Sequence, residues 1–285
     1  MNKHKKFFYF LIFLVVLNCS CWGIIFERLH FKEKVAFLDV GQADSEIIIS
    51  SAGNILIDAG SKNVLEELSK VLPLSDKTID IFILSHPDKD HFLGIFEVLN
   101  HYKVKVVILE DISETQTLFL QFLKELKERK IPVILANKPL KIYWQKANKI
   151  SVFSTKTLKH KSSSQDSLVA LYDFHQNGFL FAGDINQDIE NLLVPILTNL
   201  KTKVEVLKVN HHGSKNSSSL KFLESLKPKF AVIETGQNSY GHPNQEVLDR
   251  LQEVGAVIFR TDLDGSIIFT LDGNDLIYYS KKDKM

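Results

Sequence analysis

The sequence SHPDKDH at residues 85–91 places two imidazoles and two carboxylates within six consecutive positions. The apolar run IDIFIL at residues 79–84 precedes it and is predicted to form a buried strand. The polar groups therefore occupy the loop that leaves a strand end, where side chains can be presented into a cleft. Four such groups close together repel one another or stay unsatisfied unless a cation binds them. The spacing predicts a metal site built from His86, Asp88, Asp90 and His91.

Histidines and aspartates also follow three later predicted strands. Asp184 follows one apolar run, His211 and His212 follow a second, and His242 lies beyond a third. In α/β architectures, strand ends on one edge of a sheet converge on the functional cleft. We therefore expect all four groups of side chains to meet in one site.

The pattern of apolar runs indicates the fold class. Short runs between residues 35 and 57 are separated by tight turns and are typical of an antiparallel meander. From residue 64 onwards, predicted strands alternate with helices such as the amphipathic one expected over residues 114–129. This alternation predicts α/β layering, and residues 31–285 are expected to form one domain.

The composition is that of an ordinary globular protein. Of the 285 residues, 45% are hydrophobic and 24% are charged, which is enough apolar material for a core. The formal net charge of +1 gives no global positive field, so contact with nucleic acid would depend on a local patch or a metal. Cysteine occurs only as Cys19 and Cys21, so residues 31–285 have no disulfide and no thiolate metal site.

Residues 1–30 form a lysine-led apolar segment. Lys3, Lys5 and Lys6 precede the apolar run at residues 7–26. About 20 apolar residues can span a bilayer as a helix, and basic residues ahead of the run favour a cytoplasmic N-terminus. We therefore expect one N-terminal transmembrane helix that anchors the catalytic domain outside the cytoplasm. A signal peptide, cleaved so that the domain is secreted, is the alternative.

The number of candidate ligands favours two metal ions. One catalytic ion needs three protein ligands and an open position for water, and this chain offers at least six candidates. Two ions can clamp the attacking and leaving oxygens of a phosphoryl group. Asp184 suits a bridging role, because its two oxygens can face different cations. Aspartate and histidine without cysteine fit Zn²⁺ and also Mn²⁺.

Several short motifs occur in the order found in a known family. They are DVGQADS at residues 39–45, IDAG at 57–60, SHPDKDH at 85–91, GD at 183–184, HHGS at 211–214 and YGHP at 240–243. The ordered set resembles metallo-β-lactamase-fold hydrolases, and more narrowly the metallo-β-lactamase domain of ComEC-type competence proteins. The resemblance covers roughly residues 35–270. It implies an αββα sandwich with a dinuclear site at the edge of two facing sheets.

The resemblance also implies roles for individual side chains. The implied metal ligands come from all four strand ends: His86, Asp88, Asp90, His91, Asp184, His211 and His242. Either His211 or His242 would alternatively donate a proton to the leaving group, a division that the sequence leaves open. The predicted catalytic residues are Asp90, His211 and His212.

Three further aspartates are expected to support the ligands from behind: Asp44, Asp58 and Asp166. Asp44 and Asp58 lie at strand exits, where the commoner role of an aspartate is to cap a turn. Asp166 ends the polar loop 156–165 and stands where the family usually has asparagine. Asp88 stands where many enzymes of the wider fold have histidine, which makes the site richer in oxygen and leaves the metal open between Zn²⁺ and Mn²⁺.

Ser214 and Lys215 are the candidate substrate contacts, since a hydroxyl, an ammonium and backbone N–H groups can hold a phosphate oxygen. The expected function is a metal-dependent phosphodiesterase acting on DNA. The alternatives are a hydrolase of a small ester, thioester or lactam, and a non-catalytic surface protein that only binds nucleic acid or a partner. Full ComEC-type proteins carry a channel with many helices, for which this chain has no room. A separate channel or uptake protein is therefore an expected partner.

Overall fold

The computed structural model describes residues 3–29, 32–110, 116–143, 148–158, 166–200, 202–272 and 275–280. The chain divides into two units, Met1–Glu33 and Lys34–Met285. Residues 159–165 of the polar loop expected to lead towards Asp166 lie outside the described residues.

The first unit contains one helix, α1, Lys3–Leu29. Within the ranges that the structure describes, no helix combines the length and the apolar character that crossing a membrane requires. The transmembrane helix expected at the N-terminus is therefore not supported.

The second unit is built from strands and helices that alternate along most of its length. In chain order, the strands are β1 Lys34–Phe37, β2 Glu46–Ser50, β3 Gly53–Ile57, β4 Thr78–Ile83, β5 Lys103–Leu109, β6 Val133–Leu135, β7 Leu140–Tyr143, β8 Lys149–Ser154, β9 Leu168–Phe174, β10 Asn177–Phe181, β11 Lys203–Lys208, β12 Phe230–Ile233, β13 Val257–Arg260, β14 Ile267–Asp272 and β15 Asp275–Tyr279. The helices are α2 Val64–Val71, α3 Lys89–Phe92, α4 Ile95–His101, α5 Thr117–Glu128, α6 Gln187–Asn199, α7 Leu220–Leu226, α8 Gln245–Glu253 and α9 Thr261–Asp264.

The strands form two sheets. The first has the order β15-β14-β1-β2-β3-β4-β5-β6, and the second has the order β13-β12-β11-β10-β9-β8-β7. Neighbouring strands are parallel from β3 to β6 and from β10 to β13, and the other described pairs are antiparallel. The expected meander at the start is the antiparallel set β1-β2-β3.

Three layers of apolar contact hold this arrangement. Side chains from both sheets form one core between them, which includes Phe37, Ile48, Val206 and Phe269. A second core lies between the second sheet and helices α6, α7 and α8. Aromatic side chains on α3, α4 and α5 pack together beside β4 on the first sheet. The predicted α/β fold with two facing sheets between helices is therefore confirmed.

One local element differs from the expectation of a loop at residues 85–91. Asp90 and His91 lie in the one-turn helix α3, and only the residues before Lys89 form the loop. Backbone contacts hold this turn, because the N–H groups of Asp44 and Ala59 donate to the carbonyls of Asp90 and His91 at 3.0 and 2.7 Å. Gly60 permits this approach, since a Cβ there would lie 1.6 Å from the Asp90 carbonyl oxygen.

Candidate metal centre

The predicted ligands come together where several strands end. His86 follows β4, Asp184 follows β10, His211 and His212 follow β11, and His242 lies in the connection between β12 and α8. The parallel directions of β4 and of β10 to β12 bring these strand ends to the same edge of their sheets.

Asp184 lies at the middle of the cluster and is nearly fully buried. Its Oδ1 lies 3.5 Å from His91 Nε2. Its Oδ2 lies 3.5 Å from His211 Nε2 and 4.0 Å from His86 Nε2. The two oxygens thus face different histidines, which is the geometry that a carboxylate bridging two cations requires.

Two sets of side chains surround Asp184. The His91 group consists of Asp90, His91 and His212, and His212 Nε2 lies 3.3 Å from Asp90 Oδ2. The His86 group consists of His86, Asp88 and His211, and His86 Nε2 lies 3.6 Å from Asp88 Oδ2. Each group supplies imidazole nitrogen and carboxylate oxygen, and each shares Asp184 with the other. The arrangement therefore offers two ligand sets with one common carboxylate.

His242 lies next to the His86 group. Its ring centroid is 5.7 Å from that of His211. Burial, followed by the neighbouring imidazole of His211, lowers the pKa of His242. Burial likewise lowers the pKa of His211, against the opposing effect of Asp184. Both rings are therefore suited to be neutral near pH 7, as a metal ligand or a proton acceptor must be.

Two buried atoms at the centre test whether cations fit these residues. Among the described residues, His91 Nε2 and Asp184 Oδ1 are shielded from solvent and make no hydrogen bond. Their separation of 3.5 Å leaves no good hydrogen bond between them. Buried polar atoms are normally satisfied, and a cation that contacted both would satisfy both. The donor set therefore fits divalent metal ions.

Contacts behind the ring fix the orientation of His91. Its Nδ1 lies 2.7 Å from Asp58 Oδ2. The backbone N–H and the hydroxyl of Ser85 donate to the same carboxylate at 2.7 and 2.6 Å. A proton on Nδ1 that is shared with Asp58 leaves the lone pair on Nε2, which faces Asp184. Asp58 thus lies where it can orient His91, and its supporting role stays a prediction.

His212 is oriented in the same way. Its Nδ1 donates to the Glu234 carbonyl at 2.8 Å and also lies 3.2 Å from Asp44 Oδ1. Nε2 is therefore left to face Asp90. Burial opposes the charged form, but Asp44 and Asp90 outweigh it and raise the pKa of His212 to about 10. The ring thus lies in a strongly negative environment that would equally favour a cation.

Asp44 lies behind both histidines. Candidate ligand atoms of Asp44, His91, Asp184 and His212 all lie within 4.8 Å of one another. However, Asp44 approaches the two rings from their Nδ1 side, at 3.5 and 3.2 Å, and forms a buried ion pair with Lys208. Asp44 therefore lies on the Nδ1 side of both rings, and its supporting role stays a prediction. The ligand roles of His91 and Asp184 stay predictions as well, and so does the catalytic role predicted for His212.

The charge balance also favours cations. Burial alone would raise the pKa of Asp44, but Lys208 and the two histidines outweigh burial and hold the pKa below its usual range. Burial likewise opposes ionisation of Asp184, and the imidazoles of His91 and His212 hold its pKa well below its usual value. The cluster thus contains ionised carboxylates close together, and Lys208, which pairs with Asp44, lies behind the ligand atoms.

Sequence reasoning missed a set of buried charges beneath the ligands. Lys208, Glu46 and Glu234 are buried with Asp44, and they extend the faces of β11, β2 and β12 that point between the sheets. Burial raises the pKa of Glu46 to about 8, although Lys208 opposes this shift. Burial and the neighbouring Glu46 raise the pKa of Glu234 well above its usual value. The sequence signal that could have predicted these buried charges is the presence of charged residues on the apolar faces of strands.

The loop after β11 has an unusual backbone. His211 and His212 have φ values of 50° and 51°, which residues with a Cβ adopt only when the surroundings enforce it. Glu190 on α6 accepts from the backbone N–H groups of Ser218 and Ser219. This carboxylate was not among the sequence-predicted residues, and it fixes the far end of the loop.

Arg250 holds the same loop from α8. Its guanidinium donates to the carbonyls of Ser217, Ser218 and Lys215 at 3.1, 3.0 and 3.2 Å. The predicted phosphate contacts lie on this loop, where the side chain of Ser214 is buried and Lys215 is exposed. The loop that carries them is thus held between opposite charges from two helices.

Asp166 lies at the start of β9, beside the site loop. Its Oδ1 accepts from Thr155 Oγ1 at 3.2 Å, and the N–H of Leu168 donates to the Ser85 carbonyl at 2.8 Å. The contacts place Asp166 next to the segment that delivers His86. Its supporting role stays a prediction.

The fold and the centre define a class of protein. The family model of the metallo-beta-lactamase superfamily matches residues 38–235. The chain therefore belongs to that superfamily. The family and the cluster of ligand residues together support a metal-dependent hydrolase.

Named relatives narrow the comparison. ComE operon protein 3 of Bacillus subtilis (strain 168) is 30% identical over 270 residues, which cover 85% of this chain and 34% of that protein. Recombination protein 2 of Haemophilus influenzae is 29% identical over 268 residues, which cover 88% of this chain and 32% of that protein. The chain thus spans about a third of the length of these relatives. The resemblance to ComEC-type competence proteins is confirmed.

Solved structures support the same fold. The metallo-beta-lactamase fold protein YhfI from Bacillus subtilis has a TM-score of 0.58 at 11% identity, covering 85% of this chain and 100% of that chain. Igni18, a metallo hydrolase from Ignicoccus hospitalis, has a TM-score of 0.55 at 13% identity, and the match covers 84% of this chain and 100% of that chain. At these identities, the likeness shows the fold alone.

Proposed function

We propose that this protein is a phosphodiesterase that cleaves DNA with the aid of two divalent ions, Zn²⁺ or Mn²⁺. The carrying observation is Asp184, whose two oxygens face the His91 group and the His86 group separately. The similarity to competence and recombination proteins over most of the chain supports DNA as the substrate. The exposed Lys215 on the loop beside the centre supports an anionic substrate.

The side chains divide the work as follows. Asp90, His91 and His212 would hold one ion, His86, Asp88 and His211 the other, and Asp184 would contact both. When bound, two divalent ions polarise a phosphoryl oxygen and lower the pKa of a water molecule. Ser214 and Lys215 would orient the phosphate by hydrogen bonding and charge.

The geometry also supports a division between His211 and His242. His211 Nε2 lies 3.5 Å from the Asp184 carboxylate, whereas for His242 the closest described ring is that of His211, with 5.7 Å between the centroids. We therefore assign His211 to the ligand set and His242 to proton transfer. The neutral His242 ring would accept a proton from the attacking water and then donate that proton to the oxygen that leaves the phosphorus.

The test uses the purified full-length chain, stripped of metal and then supplied with Mn²⁺ or Zn²⁺. Labelled single-stranded and double-stranded DNA are the substrates. Wild type should cleave only with metal, and Asp184→Asn should fall to the level of the blank. Asp249→Asn, which changes an exposed carboxylate on α8, is the matched control and should cleave like wild type. The absence of metal-dependent cleavage by wild type would overturn the proposal.

Two other outcomes have their own meaning. Turnover of small esters, thioesters or lactams without DNA cleavage would make the chain a hydrolase with a different substrate. Low metal content, together with unchanged nucleic-acid binding in Asp184→Asn, would indicate a binding protein without catalysis. Metal analysis of the same samples separates these outcomes.

The cellular location forms a second part of the proposal. The lysines ahead of the apolar run at residues 7–26 support a catalytic domain outside the cytoplasm, either retained there by the N-terminal segment or released after its cleavage. A separate channel or uptake protein would then take the DNA onward. If the domain is retained at the cell surface, protease added to intact cells should digest it. If the segment is cleaved, the domain should be detected in the medium. Protection until the cells are lysed would refute this location.

A further inference from the structure

The connection between β12 and α8 carries one large aromatic side chain that solvent reaches freely. Tyr240 is 75% exposed. Its ring centroid lies 5.9 Å from that of His242, which in turn lies 5.7 Å from that of His211. Tyr240 is therefore the neighbour of the candidate centre on the side of the proposed proton donor, and it presents its ring to the surrounding space.

The backbone that carries Tyr240 is rigidly organised. Asn238 Oδ1 accepts from the backbone N–H groups of Tyr240 and His242 at 3.1 and 3.0 Å. Asn238 Nδ2 donates to the carbonyls of Gly236 and His242 at 2.9 and 2.7 Å. The Asn238 side chain thus makes hydrogen bonds with the backbone on both sides of it in the loop. The exposed ring is mounted on an ordered loop, and ordering a loop in advance lowers the entropy cost of binding.

Both ends of this loop are tied to the loops of the centre. Gln42 Oε1 accepts from Gly236 N–H at 3.1 Å, and a Cβ on Gly236 would lie 2.6 Å from the Gln42 backbone nitrogen. At the other end, a Cβ on Gly213 would lie 2.7 Å from Pro243 Cβ. Tyr240 is therefore held in a fixed position relative to the loop that carries Ser214 and Lys215.

We propose that Tyr240 is a stacking platform for an unpaired nucleobase next to the phosphate that is cut. The inference rests on the proposed function, because it names the part of a DNA substrate that the site would recognise. An aromatic face accepts every base, so the platform favours single strands without selecting a sequence. In a duplex, the bases are already stacked on each other and are unavailable to Tyr240 without unpairing.

The neighbouring groups suit the same substrate. Lys215 offers a positive charge for the backbone, and Tyr240 offers a neutral aromatic face. Binding sites for single-stranded nucleic acid combine these two features. Their loops meet where Gly213 approaches Pro243, so a DNA strand that passes the centre would meet both loops.

The experiment measures the binding and cleavage of two fluorescent single-stranded oligonucleotides by the full-length chain. One is ordinary DNA, and the other has the same phosphates but no bases. Binding is followed by anisotropy without metal, and KM is measured with Mn²⁺. Tyr240→Ala is compared with Tyr240→Phe, which keeps the ring. Tyr143→Ala is the matched control, because Tyr143 is 73% exposed and lies level with Lys149 and Asp173, at the end of the second sheet opposite to the strand ends that carry the centre.

Stacking on one base contributes a factor of about 5 to 150 in affinity. Tyr240→Ala should therefore raise Kd and KM for ordinary DNA by that factor, and Tyr240→Phe and Tyr143→Ala should stay within about twofold of wild type. On the oligonucleotide without bases, Tyr240→Ala should match wild type. An equal loss on both oligonucleotides would overturn stacking, because it would mean that the substitution disturbs the loop of His242.

Failure of this inference and failure of the proposed function are distinguishable. If wild type cuts DNA and Tyr240→Ala binds it equally well, the stacking platform is refuted and the nuclease stands. If wild type binds DNA without cutting it, the nuclease is refuted and the Kd ratio still decides the platform. If wild type binds no DNA, both are refuted.

Discussion

Replacement of Lys208 by methionine tests the buried charges beneath the centre. Lys208 on β11 and Asp44 are both shielded from solvent and form an ion pair. Methionine fills most of the same volume, so the change removes the charge and leaves little cavity. Removal of one partner from a buried pair costs about 3–5 kcal/mol, because the other charge is left uncompensated. The histidines beside Asp44 offset part of this loss, so we expect about 3 kcal/mol.

The assay is urea unfolding of the metal-free chain, so that loss of bound metal does not contribute. Lys203→Met on the same strand is the matched control, because Lys203 is 65% exposed and pairs with Glu205 on the surface. Such surface pairs contribute about 0–1 kcal/mol. Combining Lys208→Met with Asp44→Asn removes both charges and should recover at least about 1 kcal/mol relative to Lys208→Met alone. If Lys208→Met and Lys203→Met were equally stable, the argument would be refuted.

Three further predictions concern the same region. Asp184→Ala should reduce bound metal from about two ions per chain to fewer than one in elemental analysis, since both ligand sets share this carboxylate. Glu46, whose pKa is raised to about 8 by burial, binds its proton more tightly when folded, so stability should fall by about 1 kcal/mol per pH unit between about pH 5 and pH 8. Glu46→Gln should flatten that dependence in urea unfolding, and an unchanged slope would contradict the burial argument. Arg250→Ala should raise KM for DNA several-fold with little change in kcat, because it frees the carbonyl of Lys215; a selective fall in kcat would contradict this role.

The sequence predicted those parts of the protein that depend on local pattern. Alternating apolar runs and turns predict strands and helices, so the two-sheet α/β fold could be expected before the structure was known. The ligand motifs follow strands, and parallel strands bring their ends to one edge, so Asp184 could be expected near His86. These predictions need only the order of the elements along the chain.

The buried charges could not be predicted in the same way. Lys208 contacts Asp44 across 164 positions of sequence, and only the packing of the two sheets brings them together. Strand alternation places Lys208 on the same face as Val206, but a lysine in a strand usually reaches solvent, and no local pattern identifies Asp44 as its partner. The positions of the His211 and His212 rings likewise depend on left-handed backbone at these two residues, which non-glycine residues rarely adopt.

The short helix α3 illustrates a different difficulty. The polar run at residues 85–91 was expected to be a loop, since a single helical turn has almost no propensity of its own. Its backbone is held by N–H groups of Asp44 and Ala59, which belong to other segments. Tertiary contacts therefore determine the turn that orients Asp90 and His91.

The order of strands in the first sheet has a consequence for synthesis of the protein. β1, at residues 34–37, pairs on one side with β2 and on the other with β14, at residues 267–272. β1, the first strand of the domain to be synthesised, therefore lacks one of its two partners until β14, almost the last strand, has been synthesised. Phe269 of β14 also contributes to the core between the sheets, so that core stays incomplete during translation. The domain should acquire its native structure only once β14 has left the ribosome, and a ribosome stalled before residue 267 should display a chain that proteases digest readily.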